Sequence, residues 1–120
     1  MLKVYEYAKC STCVKALKFL DGKKVTYQKL PIVDKAPSQA ELKKMLAALK
    51  ERGGSIKNLF NTSGVLYKEF KISEKLPNMT EAEAIKLLSE HGKLVKRPFV
   101  LGDNDVALIG FKEDEWKKVF

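Results

Sequence analysis

The motif Cys10-Ser11-Thr12-Cys13 constrains the fold most strongly, because it stands between a β-prone segment and a helical pattern. The apolar run Leu2–Tyr7 before it predicts a first strand, and the pattern from Ser11 to about Asp21 predicts a helix. Two cysteines three positions apart at a helix start can close a disulfide. The positive end of the helix dipole also favours a thiolate, which is the nucleophile in disulfide exchange. The motif therefore predicts a strand–turn–helix unit with redox chemistry.

The first helix and the segment after it complete a β-α-β pattern. Three apolar residues recur at helical spacing and are predicted to face the core: Val14, Leu17 and Leu20. Gly22 is placed to end the helix. The alternating segment Val25–Leu30 predicts a second strand that Pro31 stops.

The middle of the chain predicts helices. Capping-box signatures at Ser38–Glu41 and Thr80–Glu83 open two amphipathic helices, the first ending before Gly53-Gly54 and the second near Gly92. Two shorter helical segments and a turn between them are predicted at Ser55–Phe60, Val65–Phe70 and Asn61–Gly64.

The last part of the chain predicts a hairpin and a helix. Strands at Pro98–Leu101 and Val106–Ile109 flank a turn at Gly102–Asn104, and Glu113–Val119 forms the closing helix. The order β-α-β … β-β-α is the thioredoxin arrangement, an α/β fold with a mixed four-stranded sheet. The chain is thus predicted to be one domain of residues 1–120, with a core at about 1–37 and 94–120 and an all-helical insertion at about 38–93.

Charge and composition exclude several classes of protein. The formal net charge is +8, but the 23 basic residues are spread along the chain among 15 acidic ones, so a solvated surface is expected rather than direct nucleic-acid binding. No apolar run is long enough to span a membrane, and the first residues lack a signal-peptide pattern. A cytoplasmic monomer with a transient rather than a structural disulfide is expected.

The two cysteines leave few alternatives. A structural zinc site needs four ligands, and His91 is the one histidine that could accompany them, so no metal site is expected. The alternative is that both cysteines are buried as small apolar residues. Their place at a strand-to-helix junction in a βαβ pattern, with Lys9 and Lys15 nearby, favours the redox interpretation.

Arg97-Pro98 is a second candidate site. A proline at the start of the third strand is compatible with a cis bond facing the cysteines or with an ordinary trans bond. With a cis bond, Arg97 would hold a fixed positive charge near the thiolate, suited to an oxyanion or a carboxylate.

Four segments together resemble the arsenate reductase (ArsC)/Spx family, over essentially the whole chain. They are Cys10–Cys13, Leu59–Gly64, Leu94–Pro98 and Leu108–Phe111. The resemblance implies a thioredoxin-like fold, a nucleophile at Cys10 and a cis bond before Pro98. It also implies that Asn61, Ser11, Thr12 and Pro98 orient the substrate.

The resemblance also shows a departure from the family pattern. The arsenate reductases of the family use three arginines around the oxyanion, and Arg97 alone matches one of them. Each missing charge-assisted bond costs about 1.5–3 kcal/mol. Arsenate itself is therefore not the substrate we expect.

Two functional hypotheses follow. In the first, the chain is a thiol–disulfide oxidoreductase in which Cys10 attacks, Cys13 resolves the mixed disulfide and Arg97 orients the substrate, with glutathione, glutaredoxin or thioredoxin as the electron donor. In the second, it resembles the Spx regulators, whose CxxC pair senses redox state and which bind the C-terminal domain of the RNA polymerase α subunit. Gly54 then corresponds in spacing to a glycine of their contact surface, although a helix end also explains it. A third alternative is an inert scaffold with ordinary thiols.

Overall fold

A mixed four-stranded sheet organises the computed structural model, which describes residues 2–7, 9–103 and 105–120. The strands are β1 Leu2–Glu6, β2 Tyr27–Pro31, β3 Phe99–Leu101 and β4 Ala107–Ile109. The α-helices are α1 Ser11–Gly22, α2 Gln39–Glu51, α3 Val65–Glu69, α4 Ile72–Lys75, α5 Glu81–Glu90 and α6 Glu113–Val119. Three 3-10 helices lie at Ile56–Leu59, Leu76–Asn78 and Gly92–Leu94.

The sheet has the order β2-β1-β3-β4, which matches the predicted thioredoxin-like topology. β1 is parallel to β2 and antiparallel to β3, and β3 is antiparallel to β4. Val4 lies opposite Lys29 in one direction and Val100 in the other. A parallel β1–β2 pair requires the crossover that α1 supplies. The order of elements confirms the fold class.

Each face of the sheet carries its own apolar cluster, because strand side chains alternate between the faces. On one face Val4 and Val100 pack with Leu20 of α1 and Trp116 of α6. On the other face Tyr5 and the side chains of Phe99, Leu101 and Ile109 pack against the helices between β2 and β3. The helical segment therefore covers one face, while α1 and α6 cover the other.

The helix starts follow the sequence signals. Ser38 and Glu41 form a reciprocal capping box at α2, and Thr80 and Glu83 form another at α5, as predicted. These contacts satisfy amide groups that the first turn leaves without partners. No helix in the described part of the chain is long and apolar enough to cross a membrane.

Several local predictions were wrong. Val14 is 41% exposed, and α1 instead buries Cys13, Ala16 and Leu20. β2 does end at Pro31, but Pro31 is its last residue and pairs with Glu6, one residue beyond the predicted end at Leu30, which an edge strand permits.

The remaining differences concern element boundaries. β2 begins at Tyr27 rather than Val25, and β1 ends one residue before Tyr7. The helix α4 and the 3-10 turn after it were not predicted. Asn104, in the predicted turn between β3 and β4, lies outside the described residues.

Candidate active site

Cys10 and Cys13 occupy the first turn of α1, at the end of the sheet where β1 finishes. Cys10 is the N-cap residue with extended backbone angles, and its amide donates to the Tyr7 carbonyl at 2.9 Å. Its Sγ accepts the Cys13 amide at 3.4 Å. A sulfur in this position meets both the free amides and the positive end of the helix dipole. The chain therefore presents one sulfur of the pair at the helix start.

The two thiols differ in exposure. Cys13 is fully buried, on the helix face that also buries Ala16 and Leu20, whereas Cys10 is only partly buried. A disulfide substrate can reach Cys10 from solvent but cannot reach Cys13 without first engaging its neighbour. This asymmetry suits an attacking and a resolving cysteine.

Burial raises the pKa of Cys13 to about 12, so its thiol is protonated at neutral pH. A hydrogen bond with the Tyr7 backbone lowers the pKa of Cys13, whereas the hydrogen bond with the Cys10 side chain and the negative charge of a Cys10 thiolate raise it. The nearby charge of Arg97 lowers the pKa of Cys13. The arginine is thus close enough to act on the cysteine pair.

The Arg97-Pro98 peptide bond is cis, as the resemblance implied. Pro98 is buried, and its carbonyl accepts the Gly110 amide at 2.9 Å. The Arg97 guanidinium lies over the Tyr7 ring, 4.9 Å from its centroid. In the described residues, Arg97 forms no ion pair. Its charge is therefore available to an anionic ligand.

A surface cleft of about 360 Å³ opens beside Arg97. Its lining residues come from the end of β1, the start of α3 and the segment before β3: Tyr7, Asn61, Gly64, Val65, Leu66, Glu69, Lys93 and Arg97. Asn61 is anchored there because its amide donates to the Leu94 carbonyl at 2.7 Å. The fold thus brings Asn61 and Arg97 to one cleft, next to the turn that holds the cysteines.

The other candidate residues lie elsewhere. Ser11 and Thr12 are on the first turn of α1, exposed and half-buried respectively, and neither is among the described residues that line the cleft. Gly54 follows α2 and lines a different groove of about 310 Å³, together with Arg52, Lys96 and Lys112. Among the described residues, no group of His, Cys, Asp or Glu could hold a metal ion.

The sequence did not identify Val65 and Leu66 as lining residues of the cleft, nor the three residues that bring a ring and two charges to it: Tyr7, Glu69 and Lys93. Tyr7 was assigned to the first strand, yet it contacts Arg97 through its ring and Cys10 through its carbonyl. Lys93 and Glu69 carried no motif at all. The position of Tyr7 three residues before Cys10 was the one available signal, whereas Lys93 and Glu69 become its neighbours only through the fold.

Comparison with known proteins places this site in a family. The model of the ArsC family matches residues 5–119. The protein YusI of Bacillus subtilis is 41% identical over 98% of this chain and 96% of its own length. The structure of a possible arsenate reductase from Streptococcus mutans covers 100% of this chain and 98% of its own, with 32% identity and a TM-score of 0.87.

A regulator is also among the relatives. The global transcriptional regulator Spx 2 of Bacillus anthracis is 28% identical over 98% of this chain and 86% of its own length. Enzyme-like and regulator-like proteins therefore share this sequence pattern. With the family model covering nearly the whole chain and the sheet topology in agreement, the chain belongs to the ArsC family.

Proposed function

We propose that this protein is a cytoplasmic thiol–disulfide oxidoreductase that uses Cys10 as the nucleophile and Cys13 as the resolving thiol. The observation that carries the proposal is the unequal exposure of two cysteines on one helix turn, Cys13 fully buried and Cys10 partly exposed. Membership of the ArsC family supports the same chemistry.

The proposed reaction proceeds in two exchanges. The Cys10 thiolate attacks one sulfur of a substrate disulfide, forms a mixed disulfide and expels a thiolate, which takes a proton from water. Cys13 then gives up its proton to solvent and attacks Cys10 Sγ, which forms the internal disulfide and releases the second thiol. Two electrons pass to the substrate, and a thiol donor such as glutathione, glutaredoxin or thioredoxin restores the dithiol.

The neighbouring residues have proposed roles in binding. Arg97 would hold a substrate carboxylate, since its charge has no acidic partner among the described residues. The Asn61 side chain and the backbone at cis-Pro98 would orient the substrate next to it. Ser11 and Thr12 would contribute amides of the helix start to Cys10. A single arginine in the cleft makes arsenate a poor substrate in this proposal.

Single-cysteine variants test the proposal. Cys10→Ser should abolish disulfide reduction, whereas Cys13→Ser should accumulate the mixed disulfide at Cys10, detectable by intact mass. Ser73→Ala, an exposed change on α4, is the control and should retain activity. Undiminished activity of Cys10→Ser would contradict the proposal.

A second candidate function is a redox-dependent regulator that binds the C-terminal domain of the RNA polymerase α subunit. The groove at Gly54 favours it, because Arg52, Lys96 and Lys112 line a surface separate from the cysteines. Binding of the purified domain to the reduced and oxidised protein, with Lys112→Glu as the groove variant and Lys43→Glu as the control, would test this function. Equal binding of both redox forms would exclude redox control.

A further inference from the structure

We propose that Gly110 and Trp116 are positioning residues for Arg97, so that the helix α6 sets how strongly the cysteine pair prefers anionic disulfides. Neither residue is among those that line the cleft, and both act through the backbone on either side of the arginine. The proposal rests on the proposed function, in which Arg97 holds a substrate carboxylate, and it names the residues that hold the arginine itself.

Gly110 contacts the residues that flank Arg97 in the chain. Its amide donates to the Pro98 carbonyl at 2.9 Å. A Cβ built on Gly110 would lie 2.9 Å from Cε of Lys96, so the lysine stem lies directly against this glycine. The φ of Gly110 is 69°, in the left-handed region that glycine adopts without strain. The residues before and after Arg97 are therefore both held against one buried glycine.

Trp116 fixes Gly110 in turn. The indole Nε1 donates to the Gly110 carbonyl at 3.2 Å, a buried hydrogen bond between α6 and the residue that follows β4. A buried carbonyl and a buried indole N–H each need a partner, and here each supplies the other. Three aromatic rings orient the indole, with centroids 5.0, 5.8 and 6.2 Å away: Phe111, Phe120 and Phe19. The helix α6 thereby anchors Gly110 and, through it, the Pro98 carbonyl.

Arg97 connects this anchor to the cysteines. Its guanidinium lies 4.9 Å from the centroid of the Tyr7 ring, and the Tyr7 carbonyl accepts the Cys10 amide at 2.9 Å. The charge of Arg97 also lowers the pKa of Cys13. A shift of residues 96–98 would therefore move the guanidinium relative to the cysteine pair. Attack of Cys10 on a neutral disulfide does not need that guanidinium, so the loss should be selective for anionic substrates.

The test measures the ratio of two rates in each variant. Reduced protein reacts with dithiodiglycolate, a disulfide that carries two carboxylates, or with neutral hydroxyethyl disulfide, and acid quench with intact mass follows the loss of free thiol. Trp116→Phe removes the indole donor but keeps an aromatic ring and the charge of the protein. The ratio of the dithiodiglycolate rate to the hydroxyethyl disulfide rate should fall about threefold or more, because catalysis is sensitive to small displacements of a positioning group.

The control variant separates positioning from stability. Leu20→Ala makes a cavity in the apolar cluster that also contains Trp116, but it removes no hydrogen bond. It should leave the ratio of the two rates unchanged. A merely structural role of Trp116 would likewise change both rates together and not their ratio.

A double-mutant cycle tests whether the effect passes through Arg97. In Arg97→Gln protein the ratio should already be low, and the addition of Trp116→Phe should lower it no further, since both residues act on one contact. An unchanged ratio in Trp116→Phe, or an equal additional loss in the Arg97→Gln background, would overturn the inference.

A binding measurement on the original chain covers the case in which Trp116→Phe does not fold. Trp116 is the one tryptophan of the sequence, so its indole N–H gives one identifiable signal in isotope-labelled protein. Thiodiglycolate has a thioether in place of the disulfide and cannot exchange, and its titration should shift that signal together with the Arg97 amide. A saturable shift at Arg97 with an unmoved indole signal would overturn the inference and leave the proposed function standing. No shift at Arg97 would overturn both the inference and the proposed role of Arg97, whereas undiminished activity of Cys10→Ser would overturn the proposed function itself.

Discussion

The Arg97 guanidinium packs on the face of the Tyr7 ring, with 4.9 Å between the guanidinium carbon and the ring centroid. The backbone of the same tyrosine accepts the Cys10 amide and lowers the pKa of the Cys13 thiol. Tyr7 thus touches both cysteines through its backbone and the candidate substrate-binding arginine through its ring. Arginine at such a site is planar and keeps its charge, so the ring can fix its orientation.

Removing the Tyr7 ring should impair substrate binding more than protein stability. Tyr7→Leu is expected to lower kcat/KM for a disulfide substrate that carries a carboxylate about threefold to tenfold, because a guanidinium–aromatic contact contributes about 0.5–2 kcal/mol. Tyr7→Phe keeps the ring face and should stay close to the original value. The rate with hydroxyethyl disulfide serves as the internal reference, because this neutral disulfide has no carboxylate for Arg97 to bind. An equal loss in the Leu and Phe variants would show that the ring face does not position Arg97.

Cys13 should make the reduced protein less stable at alkaline pH. Burial raises its pKa from 9.0 in the unfolded chain to about 12 in the fold, so the folded state holds a proton that the unfolded state releases. The stability due to the buried thiol is complete below pH 9 and declines as pH rises toward 12. Urea unfolding of the reduced protein and of Cys13→Ala at several pH values measures this. Above pH 9 the free energy of unfolding of the original protein should fall relative to that of Cys13→Ala. A difference between the two proteins that stays constant with pH would contradict the buried protonated thiol.

Glu41 should contribute stability that acid removes. Although burial raises its pKa, hydrogen bonds from the Ser38 amide and the Tyr5 hydroxyl, together with Lys3, lower the pKa below 4.5 overall. A carboxylate with a lowered pKa stabilises the fold above its unfolded pKa, and this stability is lost as pH falls through the folded value. Glu41→Gln should therefore unfold at lower urea than the original protein at pH 7, and the gap should narrow below pH 4.5.

The control for this effect lies on the same helix. Glu51→Gln removes an exposed acid at the C-terminal end of α2. The helix dipole is negative at that end, so the loss of a negative charge there does not weaken the helix. We expect no loss of stability at pH 7. A gap for Glu41→Gln that stays constant down to pH 3 would indicate lost packing rather than lost charge.

The features that could be predicted from the sequence are those that depend only on residues close together in the chain. The Ser38 and Thr80 capping boxes and the cysteine turn each need only neighbouring residues, so they were predictable. The buried face of α1 was not predictable, because the sheet and α6 determine which side of that helix is covered. Val14 fits the apolar periodicity, but its side chain is exposed to solvent. The prediction that β2 ends before Pro31 likewise lacked the position of the strand in the sheet. β2 is an edge strand, where proline is tolerated as a strand residue.

The cleft shows the same limit for function. Cys10 and Arg97 could be named from motifs, but Lys93 and Glu69 are separated from Tyr7 by more than sixty residues of chain. Their proximity follows from packing of the helical segment on the sheet. Neither composition nor residue spacing indicates that Lys93 and Glu69 lie near Tyr7. The charges that line the cleft are therefore known only from the structure.

Gly92 packs closely against the backbone that follows β2. A Cβ built on Gly92 would lie 1.8 Å from the Ile32 carbonyl oxygen and 2.9 Å from its carbonyl carbon, just after β2. Because backbone rather than a flexible side chain is in the way, Gly92→Ala should lower the free energy of unfolding by about 1–3 kcal/mol or more. Gly22→Ala is the matched control, since no atom lies within 4 Å of its Cβ position. That variant should stay within about 1 kcal/mol of the original protein. Chemical unfolding of all three proteins measures the difference, and equal stability of the two variants would show that the segment can move away from Ile32 without loss.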